Sequence, residues 1–183
     1  MKEMLKLGLT LAIFAAVACV ALAFVNNLTA PTIAKVEQEK ANAGMKTVFA
    51  DADTFEEVAG FTSTVENGVT IDKVCYPIKN GAKVGVVVQA TGNTYDKATI
   101  LVGINADKVI TGINFLAISD TPGFGQKATE PAFYEQFSGL SATKALVPGT
   151  DFDGISGATI TTDGVATIVS EAAKIGVEYL AAL

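Results

Sequence analysis

Between Lys6 and Lys35 no residue is charged, and residues 7–25 are apolar almost without interruption. Wound as a helix at about 1.5 Å per residue, that run crosses the hydrocarbon core of a bilayer, so the pattern predicts one transmembrane helix. Lys2 and Lys6 precede it, and Asn26-Asn27-Leu28-Thr29-Ala30-Pro31 adds no positive charge. This asymmetry places the N-terminus in the cytoplasm and the remainder outside. Two alternatives attach to the same stretch: Ala21-Leu22-Ala23 fits a small-x-small cleavage site, and Ala16-Val17-Ala18-Cys19 is a weak lipid-attachment box. The apolar run continues past Cys19 through residue 25, which favours a retained anchor.

Pro31 can open a helix at its first turn, and residues 32–49 are polar with alternating charge at Lys35, Glu37, Glu39, Lys40 and Lys46. They predict a stalk helix. Asp51 and Asp53 follow in a turn, read as capping a further helix near Phe55-Glu56-Glu57-Val58. The pattern then changes to β-branched runs. Residues 74–79 and 84–90 flank Asn80-Gly81, a strong hairpin signal, with Val84, Val86 and Val88 expected on one face. Residues 98–104 and 109–117 form a second pair around Asn105-Ala106-Asp107-Lys108, and Pro77 is expected to mark an edge strand. Near Thr162 or Asp163 the period returns to three and four: Val165, Ile168, Val169, Ala172, Ile175, Tyr179, Leu180 and Leu183 form a buried stripe opposite Glu171, Lys174 and Glu178. Strands followed by helices predict an α+β fold, with helices packed on a mostly antiparallel sheet. The expected organisation is residues 1–27 as cytoplasmic start and span, 28–50 as juxtamembrane stalk, and 51–183 as the extracytoplasmic domain.

Composition narrows the chemistry. The chain is 50% hydrophobic and 17% charged, and its net charge of −6 comes with 13 basic residues that are all Lys. Without arginine forks and with an acidic balance, nucleic-acid binding is excluded as a reading. Without His, there is no Ser-His-Asp or Cys-His catalysis and no His-ligated zinc. Cys19 lies in the apolar run and Cys75 in a strand, so neither a disulfide nor a four-thiolate cluster is expected. No residue is singled out as catalytic, and none as a metal ligand. The span carries no ionisable group with which to conduct ions.

Asp153-Gly154-Ile155-Ser156-Gly157-Ala158-Thr159 places small residues and hydroxyls before the last helix. Such a segment suits an anion at a helix N-terminus, and equally suits a capping loop served by Thr161, Thr162 and Asp163. Thr121-Pro122-Gly123-Phe124-Gly125 has the residue order of a tight turn with Pro second and Gly third. In Phe133-Tyr134-Glu135-Gln136-Phe137 the two phenylalanines lie at i and i+4 and are expected in the core; Lys127 is read as solvated or as a counter-charge.

Asp-Gly-x-Ser-Gly-Ala-Thr resembles the flavinylation motif of FMN-binding domains, found in the G subunit of Rnf-type ion-translocating electron-transfer complexes and the C subunit of the sodium-pumping NADH:quinone reductase. Thr-Pro-Gly-x-Gly and Phe-x-x-Gln-Phe-x-Gly extend the resemblance over nearly the whole chain, and the short length favours the G type. The resemblance implies FMN esterified through its phosphate to Thr159, with Asp153, Ser156, Gly157 and Ala158 forming the motif around it. It implies that Thr121, Gly123, Phe124 and Gly125 line the flavin; the family often has Glu where this chain has Asp120. It further implies a separate Mg²⁺-dependent flavin transferase, partner subunits in a bacterial cell membrane, and a single-pass electron relay. A different class of reading is an anchored scaffold whose hydroxyl-rich loop binds a phosphate ligand without redox chemistry.

Overall fold

A computed structural model describes residues 2–181. Helix α1 (Lys2–Val48) contains Pro31 in its interior, so the proline expected to open a second helix opens none. The proline removes one intrahelical hydrogen bond without ending the helix. The chain divides into two compact units, residues 1–40 and residues 41–183. The first is helix alone, long and apolar enough to cross a membrane, with side chains such as Leu11 and Phe14 exposed at 72% and 71%.

The second unit is built on an antiparallel sheet. Its strands are β1 (Thr54–Glu57), β2 (Thr64–Glu66), β3 (Val69–Lys79), β4 (Ala82–Lys83), β5 (Gly85–Asn93), β6 (Lys97–Asn105) and β7 (Ile110–Ile118), in the order β1-β3-β5-β6-β7 with β2 and β4 also paired to β3. Two Asn-Gly turns shape it. Asn80 and Gly81 adopt φ of 52° and 78°, and Asn67 and Gly68 adopt 48° and 77° between β2 and β3, a hairpin beyond those expected from the strand pattern.

Several expectations change. Residues 54–57 form β1 rather than a helix: Phe55 pairs with Pro77 across the ladder, Asp51 bonds Lys79, and Asp53 accepts from the Asn80 amide instead of capping. Pro77 therefore lies in an interior strand. Its carbonyl accepts from Val84 N, and amide and carbonyl of one strand residue point the same way, so its missing donor faces the irregular step between β4 and β5. That step also turns Val84 to the face opposite Val86 and Val88.

Helix α2 (Pro131–Tyr134) lies between two 3₁₀ turns, and helix α3 (Thr159–Leu180) starts three residues earlier than Thr162, because Ala158 leaves the helical conformation with φ −134°. On one sheet face, α3 contributes Val165, Ile168, Val169 and Ala172 to a core with Val86, Val88, Ile100 and Val102. Tyr179 and Leu180 are partly buried beside it, and the expected Leu183 lies outside the described residues. The opposite face is covered by Met45, Val48 and Phe49 against Cys75, Val87 and Leu101. Period-two alternation along β5 and β6 thus supplies both cores from the same strands. Cys75 sits in the smaller one, where burial pushes its thiol up to about 11.

Candidate functional site

Three loops meet at one end of the sheet, and each has a local cause. After β7 the chain makes the expected turn: Phe124 N donates to Thr121 O at 3.2 Å, with Gly123 at φ 78° as a type II turn requires. Gly125 follows where no side chain fits, since a Cβ there would lie 2.6 Å from both Asp120 Cβ and Thr161 Oγ1. The second loop precedes α3. Phe152 is held against Phe133 and Phe137, at ring separations of 5.8 and 4.6 Å, and Asp153 N donates to Gln136 Oε1 at 2.7 Å. This anchors the start of the hydroxyl-rich segment to α2 and the turn after it. The third loop is the β5–β6 turn at Thr94-Tyr95-Asp96.

Between them lies an open cleft of about 480 Å³. One wall is Thr121, Phe124 and Gly125; the second is formed by residues 157–161; Tyr95 closes the third side. The two segments singled out in the sequence, far apart along the chain, therefore share one cavity. Gly157, at φ 78°, brings its backbone beneath the Phe124 ring, which would stand 3.6 Å from a Cβ at that position. Phe124, Ile160 and Tyr95 remain 56%, 60% and 67% exposed.

Helix α3 starts at the cleft without a capping side chain. Thr162 N donates to Ala158 O at 3.0 Å, so the amides of residues 159–161 have no intrahelical acceptor and the positive end of the helix dipole is open. The hydroxyls divide into occupied and free. Thr162 Oγ1 donates to Ala158 O and accepts from Ile155 N, and Thr161 Oγ1 donates to Asp120 Oδ2. Thr159 is exposed on the cleft wall, with no hydrogen bond to its hydroxyl among the described residues. The expected capping by Thr161, Thr162 and Asp163 is therefore not found: neither threonine hydroxyl accepts from a free amide of the helix, and Asp163 is exposed beyond its first residues.

Of the residues picked out by sequence, Thr121, Phe124, Gly125, Gly157, Ala158 and Thr159 line the cleft. Ser156, Gly123 and Asp153 are exposed but do not line it; they shape the turns that carry the others. Lys127 is exposed, as expected. Sequence reasoning missed Tyr95, Ile160 and Thr161 as wall residues, and marked Asp120 only as the residue standing where the family often has Glu. Asp120 is buried, and accepts from Thr94 Oγ1 at 2.5 Å, Thr161 Oγ1 at 2.6 Å, Asp96 N at 2.9 Å and Tyr95 N at 3.3 Å. Burial works to raise its pKa, but these four donors outweigh it and hold the carboxyl below the usual carboxylate value. A second hollow of about 380 Å³ includes Lys144 and Lys174, but both lysines are already committed, to Asp151 and Glu66.

Residues 94–174 match the FMN-binding domain family, and residues 1–48 match the RnfG N-terminal region. The chain is 34% identical over 186 residues to the G subunit of the Na(+)-translocating ferredoxin:NAD(+) oxidoreductase complex of Acetobacterium woodii, covering 92% of this chain and 89% of the relative. It is 30% identical over 185 residues to the G subunit of the ion-translocating oxidoreductase complex of Methanosarcina acetivorans, covering 99% and 96%. Its fold is similar to the crystal structure of Shewanella oneidensis NqrC, with TM-score 0.52 and 20% identity over 74% of each chain. It is likewise similar to the C subunit of the Na(+)-translocating NADH-quinone reductase from Parabacteroides distasonis, with TM-score 0.53 and 19% identity over 79% of this chain and 92% of that one.

Proposed function

The chain belongs to the G-subunit family of ion-translocating oxidoreductase complexes, and from that premise we propose that it is the membrane-anchored electron carrier of such a complex, bearing FMN on Thr159. The observation that carries this reading is the cleft itself. It combines a free threonine hydroxyl, three uncapped helix amides and exposed apolar side chains around backbone that glycine leaves bare. These features fit the two ends of FMN: amides of residues 159–161 for a phosphate, and Phe124, Gly157, Ile160 and Tyr95 for a planar ring system. The match of residues 1–48 to the RnfG N-terminal region supports a G-type subunit over a C-type one. When bound, FMN supplies one- and two-electron redox chemistry.

The residues of this chain do the rest. Thr159 Oγ1 would be the atom that carries the FMN phosphate as an ester, installed from a flavin dinucleotide with AMP as the leaving group and the hydroxyl proton taken by a base on a separate transferase. Among the described residues no side chain is hydrogen-bonded to the Thr159 hydroxyl to serve as that base, which supports the need for a second protein. Thr159 is thus a modification site. Amides of the first helical turn would hold the phosphate, and the exposed apolar side chains would exclude water from one side of the ring. The uncharged span is proposed to anchor the domain on the extracytoplasmic side of a bacterial cell membrane, with the N-terminus inside and other membrane subunits beside it.

Protein made in cells that contain the transferase, run on a denaturing gel and viewed under ultraviolet light, tests the reading. A fluorescent band is expected from the natural chain and from Thr161→Ala, and none from Thr159→Ala. A dark natural chain, or a bright Thr159→Ala, overturns it.

A further inference from the structure

Asp120 is 1% exposed, and none of the ion pairs among the described residues includes it. A buried carboxylate without a cationic partner is costly unless hydrogen bonds replace its water. Here four do. Their donors come from separate places: Thr94, Tyr95 and Asp96 from the β5–β6 turn, and Thr161 from the first turn of α3, 41 residues beyond Asp120. Asp120 itself immediately precedes the Thr121 turn. One side chain therefore ties together all three loops that wall the cleft. Three of the groups around it, Thr161, the Tyr95 amide and the Gly125 backbone, belong to wall residues, which leaves the carboxylate one layer behind the cavity.

Resting on the reading of this cleft as the flavin site, we propose that Asp120 is its positioning residue and electrostatic bias: a fixed buried anion that holds the walls in place and lowers the reduction potential of the cofactor between them. The sign follows from Coulomb's law in a medium that screens poorly, where a negative charge opposes the arrival of an electron. Thr161 modulates the effect. Its hydroxyl turns its hydrogen toward Asp120 and its oxygen, the negative end of the dipole, away from the carboxylate on the wall it lines, so its dipole adds a smaller contribution of the same sign. A device that only held the loops in place would behave differently, because loosening the same clamp from either partner would move the potential by comparable amounts, whereas a full charge outweighs a dipole.

The test uses the full chain made with the transferase and purified with its flavin, comparing Asp120→Asn and Thr161→Val with the natural protein by redox titration of the flavin absorbance. Gel fluorescence reports attachment and thermal melting reports folding. Asn keeps the shape of Asp and removes the charge, so the Asp120→Asn midpoint is expected to shift to more positive potential. Val keeps the charge and removes the smaller dipole, so the Thr161→Val midpoint is expected to shift in the same direction by less. An Asp120→Asn midpoint that is unchanged or more negative, or a Thr161→Val shift as large as that of Asp120→Asn, overturns the assignment. Where Asp120→Asn fails to fold or to take the cofactor, Thr161→Val decides alone: a positive shift supports the proposal, and no shift or a negative one sinks it. A dark band from the natural protein removes the flavin reading and this proposal together, whereas equal midpoints on fluorescent proteins remove only the role of Asp120.

Discussion

Phe137 and Phe124 are the same residue type in neighbouring loops, yet one is sealed and the other is bare. Phe137 is 0% exposed and forms a cluster with Phe133 and Phe152, whereas Phe124 is 56% exposed over the cleft beside exposed Ile160 and Tyr95. Burying a phenylalanine is worth about 1.5–3 kcal/mol, so a fold that leaves one out gives up that contribution at this place. The aromatic cluster has a structural role, anchoring the loop that leads to Thr159. The rim keeps its apolar surface available, and a planar ligand is what would cover it.

Substitutions can break this contrast. The largest effect is expected from Phe137→Ala, which empties the centre of the aromatic cluster and should cost about 3–5 kcal/mol in urea unfolding. Gly125→Ala comes next. Its new methyl meets Asp120 and Thr161 at 2.6 Å, so unfolding should show a loss of about 1–3 kcal/mol, accompanied by weaker flavin fluorescence on the gel. Phe124→Ala sharpens the contrast from the other side: stability should stay within about 0.5 kcal/mol of the natural chain, while the visible absorption of the attached flavin shifts with the lost ring contact.

The buried carboxylate adds a pH dependence. The Asp120 pKa is lower in the folded chain than in the unfolded one, so its contribution is present above the unfolded value of about 3.9 and is lost as pH falls through the lower folded value. Asp151, held down by Lys144 and the Val147 amide, acts in the same direction. Melting temperature should therefore fall as the pH drops below about 4, and Asp120→Asn should show a shallower fall. An equal fall in both would contradict the assigned shift.

The same contrast separates what local patterning reveals from what only the folded chain reveals. Asn80-Gly81, the paired runs around Asn105-Ala106-Asp107-Lys108 and the stripe from Val165 to Ile175 are readable because each depends on neighbours within a few residues. The Thr-Pro-Gly turn is readable for the same reason. Phe55-Glu56-Glu57 misleads as a helix because its strand exists only through pairing with β3, a contact that no local propensity encodes. Val84 and Pro77 mislead together, since one irregular step in the ladder changes the side of one and excuses the missing amide of the other. Asn67-Gly68 carries the same hairpin signal as Asn80-Gly81, but the strand before it, β2, is only 3 residues long and largely exposed, too short to show an alternating pattern. Within the site, the two motif loops are evident from their residues, but their shared cavity, the Tyr95 wall and the Asp120 clamp arise from contacts between distant parts of the chain.

A single ester bond holds the proposed function together, and mass spectrometry of the peptide containing residues 153–163, released from native membranes without removing bound groups, reads it out. The expected peptide is heavier by one FMN less one water, with fragment ions placing the added mass on Thr159. An unmodified Thr159 in that peptide, or the same mass located on Ser156, Thr161 or Thr162, would contradict it.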